Sequence, residues 1–254
     1  MRDHQFDELW AEGADAPAAH FDPAQIAHLP EPARRYLAHA IAPGARVAAA
    51  VRLRMHGEIK QKDGWHPFEA DQVIRWPRGF VWRARSKMKG LPVSGSDRWI
   101  DGEGSMHWKL LGLIPVLTAT GEDTSRAALG RVQIESLWLP TALLEPDIRW
   151  SAPDASHLGV DLHLADHAAH LDLSIAADGS LRTASILRWG NPSPASNSPE
   201  AFREIPFGCS ASAETTFDGI TIPTTMRVGW YFGSNRFEPE GEFFRVTVDH
   251  AEFR

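Results

Sequence analysis

The sequence has few of the features that form disulfides, membrane-spanning helices or nucleic-acid-binding surfaces. Cys209 is the only cysteine among 254 residues, so no internal disulfide can form. No apolar run approaches the roughly 20 residues that a membrane-spanning helix needs. The 33 acidic residues outnumber the 26 basic ones, giving a net charge of −7. Because nucleic-acid binders usually carry a basic excess, this balance argues against a nucleic-acid partner.

Signals for secretion and for common catalytic chemistry are missing as well. Residues 1–23 contain no apolar core and several early acidic residues, which predicts a cytoplasmic protein without a signal peptide. The common nucleotide-binding, metalloprotease and nucleophile motifs are absent. His163, His167 and His170 come close in sequence, but the alternation of apolar residues around them predicts two strands and a turn. We therefore expect no metal site and no cofactor.

What the sequence does contain is alternation of apolar and polar residues, the pattern of half-buried strands. Four Asp-Gly pairs, the strongest short-range hairpin signal, separate such stretches; they begin at Asp63, Asp101, Asp178 and Asp218. Hydrophobic residues make up 43% of the chain, enough for a sizeable core. These features predict a single mainly β (α+β) domain, residues 1–254, with about ten or eleven antiparallel strands joined mostly by hairpins.

Helical spacing of apolar residues occurs in two places. Residues 22–41, where Asp22 can cap and a proline follows, predict two short N-terminal helices. Residues 120–137 predict one helix inserted between strands. We expect residues 1–21 to be flexible, and the proline- and serine-rich segment 191–204 to be a mobile loop or lid.

The stretch Val73–Arg85, "VIRWPRGFVWRAR", sets four arginines among aromatic residues. Such interleaving suits either a nucleic-acid surface or the two faces of a hairpin. In the hairpin interpretation Arg54 lies opposite Asp71, and Asp71 lies opposite Arg85. The charged residues then share one face as a ladder of ion pairs, while Trp82 lies on the other face. We favour this structural interpretation.

Several segments of the chain carry a family resemblance when they are taken together. Among them are "LPEPARRYLAHAI", "GFVWRARSKMKGLPVSGSDRWIDGEGSMHWKLLGLIPV", "ESLWLPTALL" and "IPTTMRVGWYFG". They resemble an uncharacterised bacterial family catalogued only as a domain of unknown function, from about Leu29 to Phe253. The resemblance implies no catalytic residue.

The order of predicted elements is also similar to the half-barrel of periplasmic lipoprotein carriers and sensors. This second resemblance implies a strongly curved antiparallel sheet that wraps around helices and encloses an apolar cavity. It concerns architecture, which does not fix function. The present sequence differs from those carriers because it lacks a secretion signal and a lipobox cysteine.

Tryptophan is unusually frequent, with ten residues against two tyrosines. Large flat side chains of this kind suit a core or the wall of a binding cavity. Our leading hypothesis is therefore that the chain binds a hydrophobic or amphipathic small molecule in a cavity lined by tryptophan. The candidate lining residues are Trp82, Trp99, Trp108, Trp138, Trp189 and Trp230.

Two arginines are further candidates for ligand binding. Arg188 lies two residues from an apolar residue on a predicted strand. The two side chains share a face of the strand, so the guanidinium points inward. Arg131 and Glu135 are four residues apart on the inserted helix. Glu122 and Arg126 have the same spacing. If that helix closes the open side of the half-barrel, one of the two pairs faces the cavity and can hold an anionic headgroup.

A different hypothesis is an enzyme that uses acid–base chemistry on a mostly apolar substrate. Asp97 and Trp99 are two residues apart on a predicted strand, so both point to its apolar face. A carboxyl group on that face must be paired or have a raised pKa. Asp97, Glu135 and His107 are the candidate catalytic residues. A third hypothesis is a structural or interaction domain with a fully packed interior. The sequence carries no signal for an oligomeric state.

Overall fold

A computed structural model describes residues 4–13, 18–192 and 202–254 of the chain. The described part forms one antiparallel sheet of thirteen strands. The strands are β1 (Ala50–Gln61), β2 (Gly64–Arg75), β3 (Gly79–Met88), β4 (Leu91–Ile100), β5 (Glu103–Leu110), β6 (Ile114–Ala119), β7 (Arg149–Ser151), β8 (His157–Leu164), β9 (His167–Ile175), β10 (Leu181–Gly190), β11 (Arg203–Phe217), β12 (Ile220–Trp230) and β13 (Glu242–Phe253). The α-helices are α1 (His4–Ala11), α2 (Glu31–Ala40) and α3 (Glu122–Glu135).

The sheet consists of two meanders joined along one pair of strands. Its order is β6-β5-β4-β3-β2-β1-β13-β12-β11-β10-β9-β8-β7, so β1 and β13 pair in the middle. Helix α3 touches β4 and β5 on one side and β10 on the other, although these strands lie far apart in the sheet. The sheet must therefore curve around α3, as the resemblance to a half-barrel implies.

Thirteen strands are two or three more than the sequence analysis predicted. The two edge strands are short: β6 has six residues and β7 has three. Strands this short do not show a clear alternation of apolar and polar residues. Every residue of β6 is at least partly exposed, so burial adds no second signal for this strand.

The hairpin register confirms the separation of charge from the aromatic residues. Arg54 lies opposite Asp71, as predicted. Asp71 lies opposite Arg83 and not opposite Arg85, because the three-residue β2–β3 turn, Trp76–Arg78, comes one residue earlier in the chain than predicted. A register shift of two residues leaves every side chain on the same face of the sheet. Arg85 therefore stays exposed, while Trp82 is buried on the other face. The stretch Val73–Arg85 thus has the two faces of a hairpin.

The N-terminal segment contains structure that the sequence analysis did not predict. Residues 1–21 were expected to be flexible, whereas α1 buries Phe6 and Leu9 completely against the outer face of β2 and β3. The guanidinium of Arg83 lies 3.6 Å from the centre of the Phe6 ring. Three large apolar residues, Phe6, Leu9 and Trp10, on an eight-residue helix give too short a pattern to be recognised.

The remaining helical predictions agree with the structure. A 3₁₀ turn, Pro23–Ile26, begins after the capping residue Asp22, and α2 follows it. Helix α3 continues into two 3₁₀ turns, Ser136–Trp138 and Pro140–Leu144, both buried. Among the described residues, no helix is long and apolar enough to cross a membrane. Most of the predicted loop 191–204 lies outside the described residues, and β11 already begins at Arg203.

The three histidines lie where the alternation predicts them. His163 belongs to β8, while His167 and His170 belong to β9, with a turn at Ala165 and Asp166 between them. His170 accepts or donates a hydrogen bond of 2.6 Å to Asp161. The histidines therefore belong to a β-hairpin and not to a helix.

Candidate functional site

Helix α3 brings one arginine between two carboxylates inside the half-barrel. Nε of Arg131 lies 2.6 Å from Oε1 of Glu135, and Nη1 lies 3.3 Å from Oδ2 of Asp97 on β4. The three side chains are only 13–17% exposed. The guanidinium also lies 4.5 Å from the ring centre of Phe80 and 5.1 Å from that of Trp82. The Arg131–Glu135 pair thus faces the interior, as expected for a helix that closes the half-barrel.

The surroundings of Asp97 change its pKa. Burial raises its pKa, and the charge of Arg131 and a 3.0 Å hydrogen bond from Nε1 of Trp108 act in the opposite direction. Glu135 accepts a second hydrogen bond, of 2.5 Å, from Nε2 of Gln72. Gln72 is fully buried on β2. Each carboxylate therefore has a donor besides Arg131, which fixes its orientation.

Arg188, near the end of β10, is held in a different way. Nε donates a 3.0 Å hydrogen bond to the carbonyl of Ala127 on α3. The guanidinium lies 4.4 Å from the ring centre of Phe207 and 5.0 Å from that of Trp230. Among the described residues, no carboxylate forms a salt bridge with it and its two Nη groups have no hydrogen-bond partner. Burial, followed by repulsion from Arg131, lowers the pKa of Arg188 to about 9.

A glycine on α3 allows this close contact. A Cβ atom at Gly130 would lie 2.8 Å from Cγ of Arg188 and 3.6 Å from its Cβ. The missing side chain lets the helix lie directly on the aliphatic part of the arginine. The helix therefore covers the stem of Arg188 while the guanidinium extends between the two rings.

Aromatic side chains connect the two arginines across the interior. We call this set the aromatic band. Successive ring centres lie 4.9–6.4 Å apart. In spatial order its members are Trp108, Trp82, Phe244, Phe243, Phe207 and Trp230. Arg131 lies over one part of the band and Arg188 over its far end.

The predicted tryptophans thus divide into two groups. Trp82, Trp108 and Trp230 belong to the aromatic band. Trp99 and Trp138 are 2% and 4% exposed in the packed core, where Nε1 of Trp138 donates to the carbonyl of Pro223. Trp189 lies outside the band, and its Nε1 donates a 2.9 Å hydrogen bond to Asp123 at the start of α3.

His107 does not join the other candidates. It lies next to Met106, the residue opposite Asp97, so its side chain points to the other face of the sheet and is exposed. Grouping His107 with Asp97 and Glu135 as a catalytic set is therefore not supported by the geometry. Gln72 and the phenylalanines of the band were not among the site residues predicted from the sequence, although Phe243 and Phe244 stand out as adjacent aromatics in the last strand.

Two cavities lie away from the aromatic band. One of about 420 Å³ is lined by residues of β7–β10, including Ser151, His157 and Thr183. Another of about 120 Å³ lies around Arg54 and Asp71 on the charged face. Neither is lined by a tryptophan. Helix α3 covers part of the band, since the guanidinium of Arg131 lies over Trp82.

Solved structures similar to the chain share its extent but little of its sequence. A LolA superfamily protein from Nitrosomonas europaea is 8% identical, with a TM-score of 0.49, over 88% of this chain and 92% of that one. A DUF1329 family protein from Desulfovibrio piger is 10% identical, with a TM-score of 0.45, over 81% and 86%. A comparison with curated proteins finds no match. Function has to be inferred from this chain's own side chains.

The sequence itself places the chain in a family. The matching model spans residues 27–253, nearly the range over which the resemblance was noted, and it describes a family of unknown function. The chain belongs to that family of unknown function, DUF6920.

Proposed function

We propose that the chain binds an amphipathic molecule with an anionic headgroup. The headgroup pairs with Arg188, the apolar part lies along the aromatic band, and α3 is the cover that moves to admit it. The observation that carries this proposal is the partly buried guanidinium of Arg188, which has no carboxylate partner among the described residues.

A cation in such a place is costly to maintain. Buried charges are normally paired with an opposite charge, and the lowered pKa of Arg188 reflects the cost of leaving this one in a poorly solvated site. A guanidinium has five N–H donors, of which Nε alone is engaged. Its Nη groups suit a carboxylate or phosphate group, which can accept two parallel hydrogen bonds. An anionic headgroup would supply the missing partner.

Helix α3 is suited to move because polar contacts provide much of its attachment. Its large apolar residues are Leu129, Val132 and Ile134, three of fourteen. Seven polar contacts join it to described residues of the sheet. They are Ser125 with Gly104, Arg188 with Ala127, Arg131 with Asp97, Gln72 with Glu135, Gln133 with His167, Trp189 with Asp123 and Arg126 with Glu204. Elements that bury little apolar surface open at a lower free-energy cost than the core. Opening of α3 would expose the aromatic band without unfolding the sheet.

The proposal is tested by tryptophan fluorescence during titration with dodecanoate and with dodecanol, which differ only in the headgroup. The wild-type chain should bind dodecanoate saturably and more tightly than dodecanol. Arg188→Met keeps the length of the side chain and removes the donors. It should weaken binding of dodecanoate about 10- to 150-fold, since a hydrogen bond to a charged group contributes about 1.5–3 kcal/mol. Binding of dodecanol should change little.

The matched control is Arg182→Met, which removes an exposed arginine from the same strand. It should leave both affinities unchanged. Absence of saturable binding by the wild-type chain would reject the proposal and favour a structural domain with a packed interior. Equal binding of dodecanoate by Arg188→Met and the wild type would reject the role of Arg188.

Acid–base catalysis is the second candidate, and Asp97 favours it. This carboxyl has a raised pKa next to the fixed cation of Arg131, which is an arrangement suited to proton transfer. A panel of p-nitrophenyl esters of increasing chain length tests it. Turnover that Asp97→Asn abolishes and Asp161→Asn retains would support an enzyme, and absence of turnover by the wild type would argue against one.

A further inference from the structure

All five lysines of the chain lie at one end of the sheet. They are Lys60, Lys62, Lys87, Lys89 and Lys109. Consecutive strands from β1 to β6 are antiparallel, so the β1–β2, β3–β4 and β5–β6 turns share this end. Nε2 of Gln61 donates to the carbonyl of Lys87, and the backbone of Leu111 donates to the carbonyl of Pro92, which shows that the three turns are adjacent. We call these turns the lysine tip.

The lysine tip also carries most of the large apolar side chains that are exposed in the described part of the chain. Leu113 is 81% exposed, and other leucine, isoleucine and valine residues nearby are 40–56% exposed. They are Leu91, Leu111, Ile114, Val116 and Leu117. Of the seven large apolar residues that are exposed in the described part of the chain, six belong to this group, the exception being Leu187. A cluster of this kind marks an interaction surface, whereas scattered exposed leucines do not.

The lysines around these side chains have no carboxylate partner in the described part of the chain. No lysine forms a salt bridge with a described residue, whereas many arginines elsewhere do. Asp63 is the acidic residue within the three turns. The tip is therefore basic although the whole chain has a net charge of −7. The basic charges are concentrated where the apolar side chains protrude.

We infer that the lysine tip docks on an anionic membrane surface. Exposed leucine and isoleucine side chains enter the boundary between headgroups and acyl chains, and lysines around them pair with anionic lipid headgroups. Lysine suits this role because its long stem lets the ammonium group reach the headgroups while the leucines are immersed. This inference goes beyond the proposed function and does not depend on it, since Arg188 takes no part in the docking surface.

The test is flotation of the intact chain with two kinds of vesicle, phosphatidylcholine alone and phosphatidylcholine with about 30% phosphatidylglycerol. The chain should bind the anionic vesicles at least tenfold more strongly, and added salt should reduce this preference because it screens the charges. The triple variant K87Q, K89Q and K109Q should lose at least tenfold of the binding to anionic vesicles, as each basic residue near the surface contributes. The double variant L111S and L113S should lose a similar amount. All five positions are exposed, so the fold is retained.

Two matched variants control for charge and for apolar surface in general. R54Q, R149Q and R182Q remove three exposed arginines away from the tip, and L187S removes the exposed leucine that lies outside the cluster. Both should bind the anionic vesicles like the wild type. Failure of the wild type to bind these vesicles overturns the inference, and so does an equal loss of binding in the controls. A dimer that L111S and L113S dissociate, without vesicle binding, would assign the tip to a second copy of the chain instead.

Discussion

The strongest pH dependence of stability should come from a buried glutamate at the start of β13. Glu242 is 3% exposed and accepts hydrogen bonds from two arginines. Nε and Nη2 of Arg227 lie 2.9 and 2.7 Å from its two oxygens, and Nε of Arg245 lies 2.7 Å from Oε1. Both arginines are 44% exposed. One carboxylate is therefore stabilised in its charged form by two cations at the surface.

The magnitude follows from the pKa. The hydrogen bonds from Arg227, above all, and from Arg245 lower the pKa of Glu242 from 4.5 to about 2, although burial acts in the opposite direction. Each unit corresponds to about 1.4 kcal/mol, so the full difference is about 3 kcal/mol. The half-exposed arginines are screened by solvent, which reduces the expected contribution to about 2 kcal/mol. Because the pKa is lower in the folded state, this stability is present above about pH 4.5 and is lost as the pH falls toward 2.

Urea unfolding of the wild type and of Glu242→Gln measures this contribution. At pH 7 the variant should be less stable by about 2–4 kcal/mol, since the arginines also lose their carboxylate. At pH 3 the difference should shrink to about half, because the wild type has then lost part of its advantage. Glu238→Gln is the control: Glu238 also pairs with Arg227 but is 72% exposed, so its loss should cost less than about 1 kcal/mol. A difference between wild type and Glu242→Gln that does not change with pH would refute the reasoning.

Three further predictions follow from individual residues. Cys209 is buried and its pKa is raised to about 12, so the native chain should not react with iodoacetamide at pH 8 while the unfolded chain should. Gly79→Ala should destabilise the fold by at least about 1–3 kcal/mol in urea unfolding, because φ is +139° and the new Cβ would lie 1.9 Å from the carbonyl oxygen of Trp99. The hydrogen bond from Asp161 raises the pKa of His170, so Asp161→Asn should lower the titration midpoint of His170 measured by NMR.

Local patterns determined most of the predictable fold. The positive φ angles of Asp101 and Gly102, and of Asp218 and Gly219, are those of the turns that Asp-Gly pairs favour. The turn at Asp63 aligned Arg54 with Asp71 correctly, because a two-residue turn fixes the register of both strands. Where the turn contained proline its position was not encoded so directly, and the next register was wrong by two.

The candidate site was less predictable because its contacts join distant parts of the chain. Parity indicated that Asp97 and Arg188 point inward, and helical spacing paired Arg131 with Glu135. Parity does not show which strands curve toward each other. The contact of Arg188 with Ala127 and the aromatic band both depend on that curvature. His107 is close to Asp97 in sequence and was grouped with it for that reason. It lies on the opposite face of the sheet.

The lysine tip and the proposed binding site around Arg188 lie at the same end of the sheet, and their roles can be tested separately. Strands β10 and β12 run parallel to β1, so Gly190 and Trp230 end near the level of the lysine tip, and Arg188 lies two residues before the end of β10. A ligand that leaves an anionic membrane would meet the lysines first and Arg188 afterwards. Removing Lys87, Lys89 and Lys109 should therefore slow transfer of dodecanoate from anionic vesicles by about tenfold or more, since docking is weakened. It should not change the affinity for free dodecanoate.

Arg188→Met should have the opposite effect, with a weaker affinity for free dodecanoate and unchanged docking on vesicles. Stopped-flow measurement of tryptophan fluorescence after mixing with loaded vesicles gives the transfer rate, and titration gives the affinity. If both variants changed the rate and the affinity together, docking and headgroup binding would be one function of a single surface. Separate effects would instead mean that the chain takes up its ligand at the membrane, because the surface that finds the bilayer is then distinct from the residue that holds the headgroup.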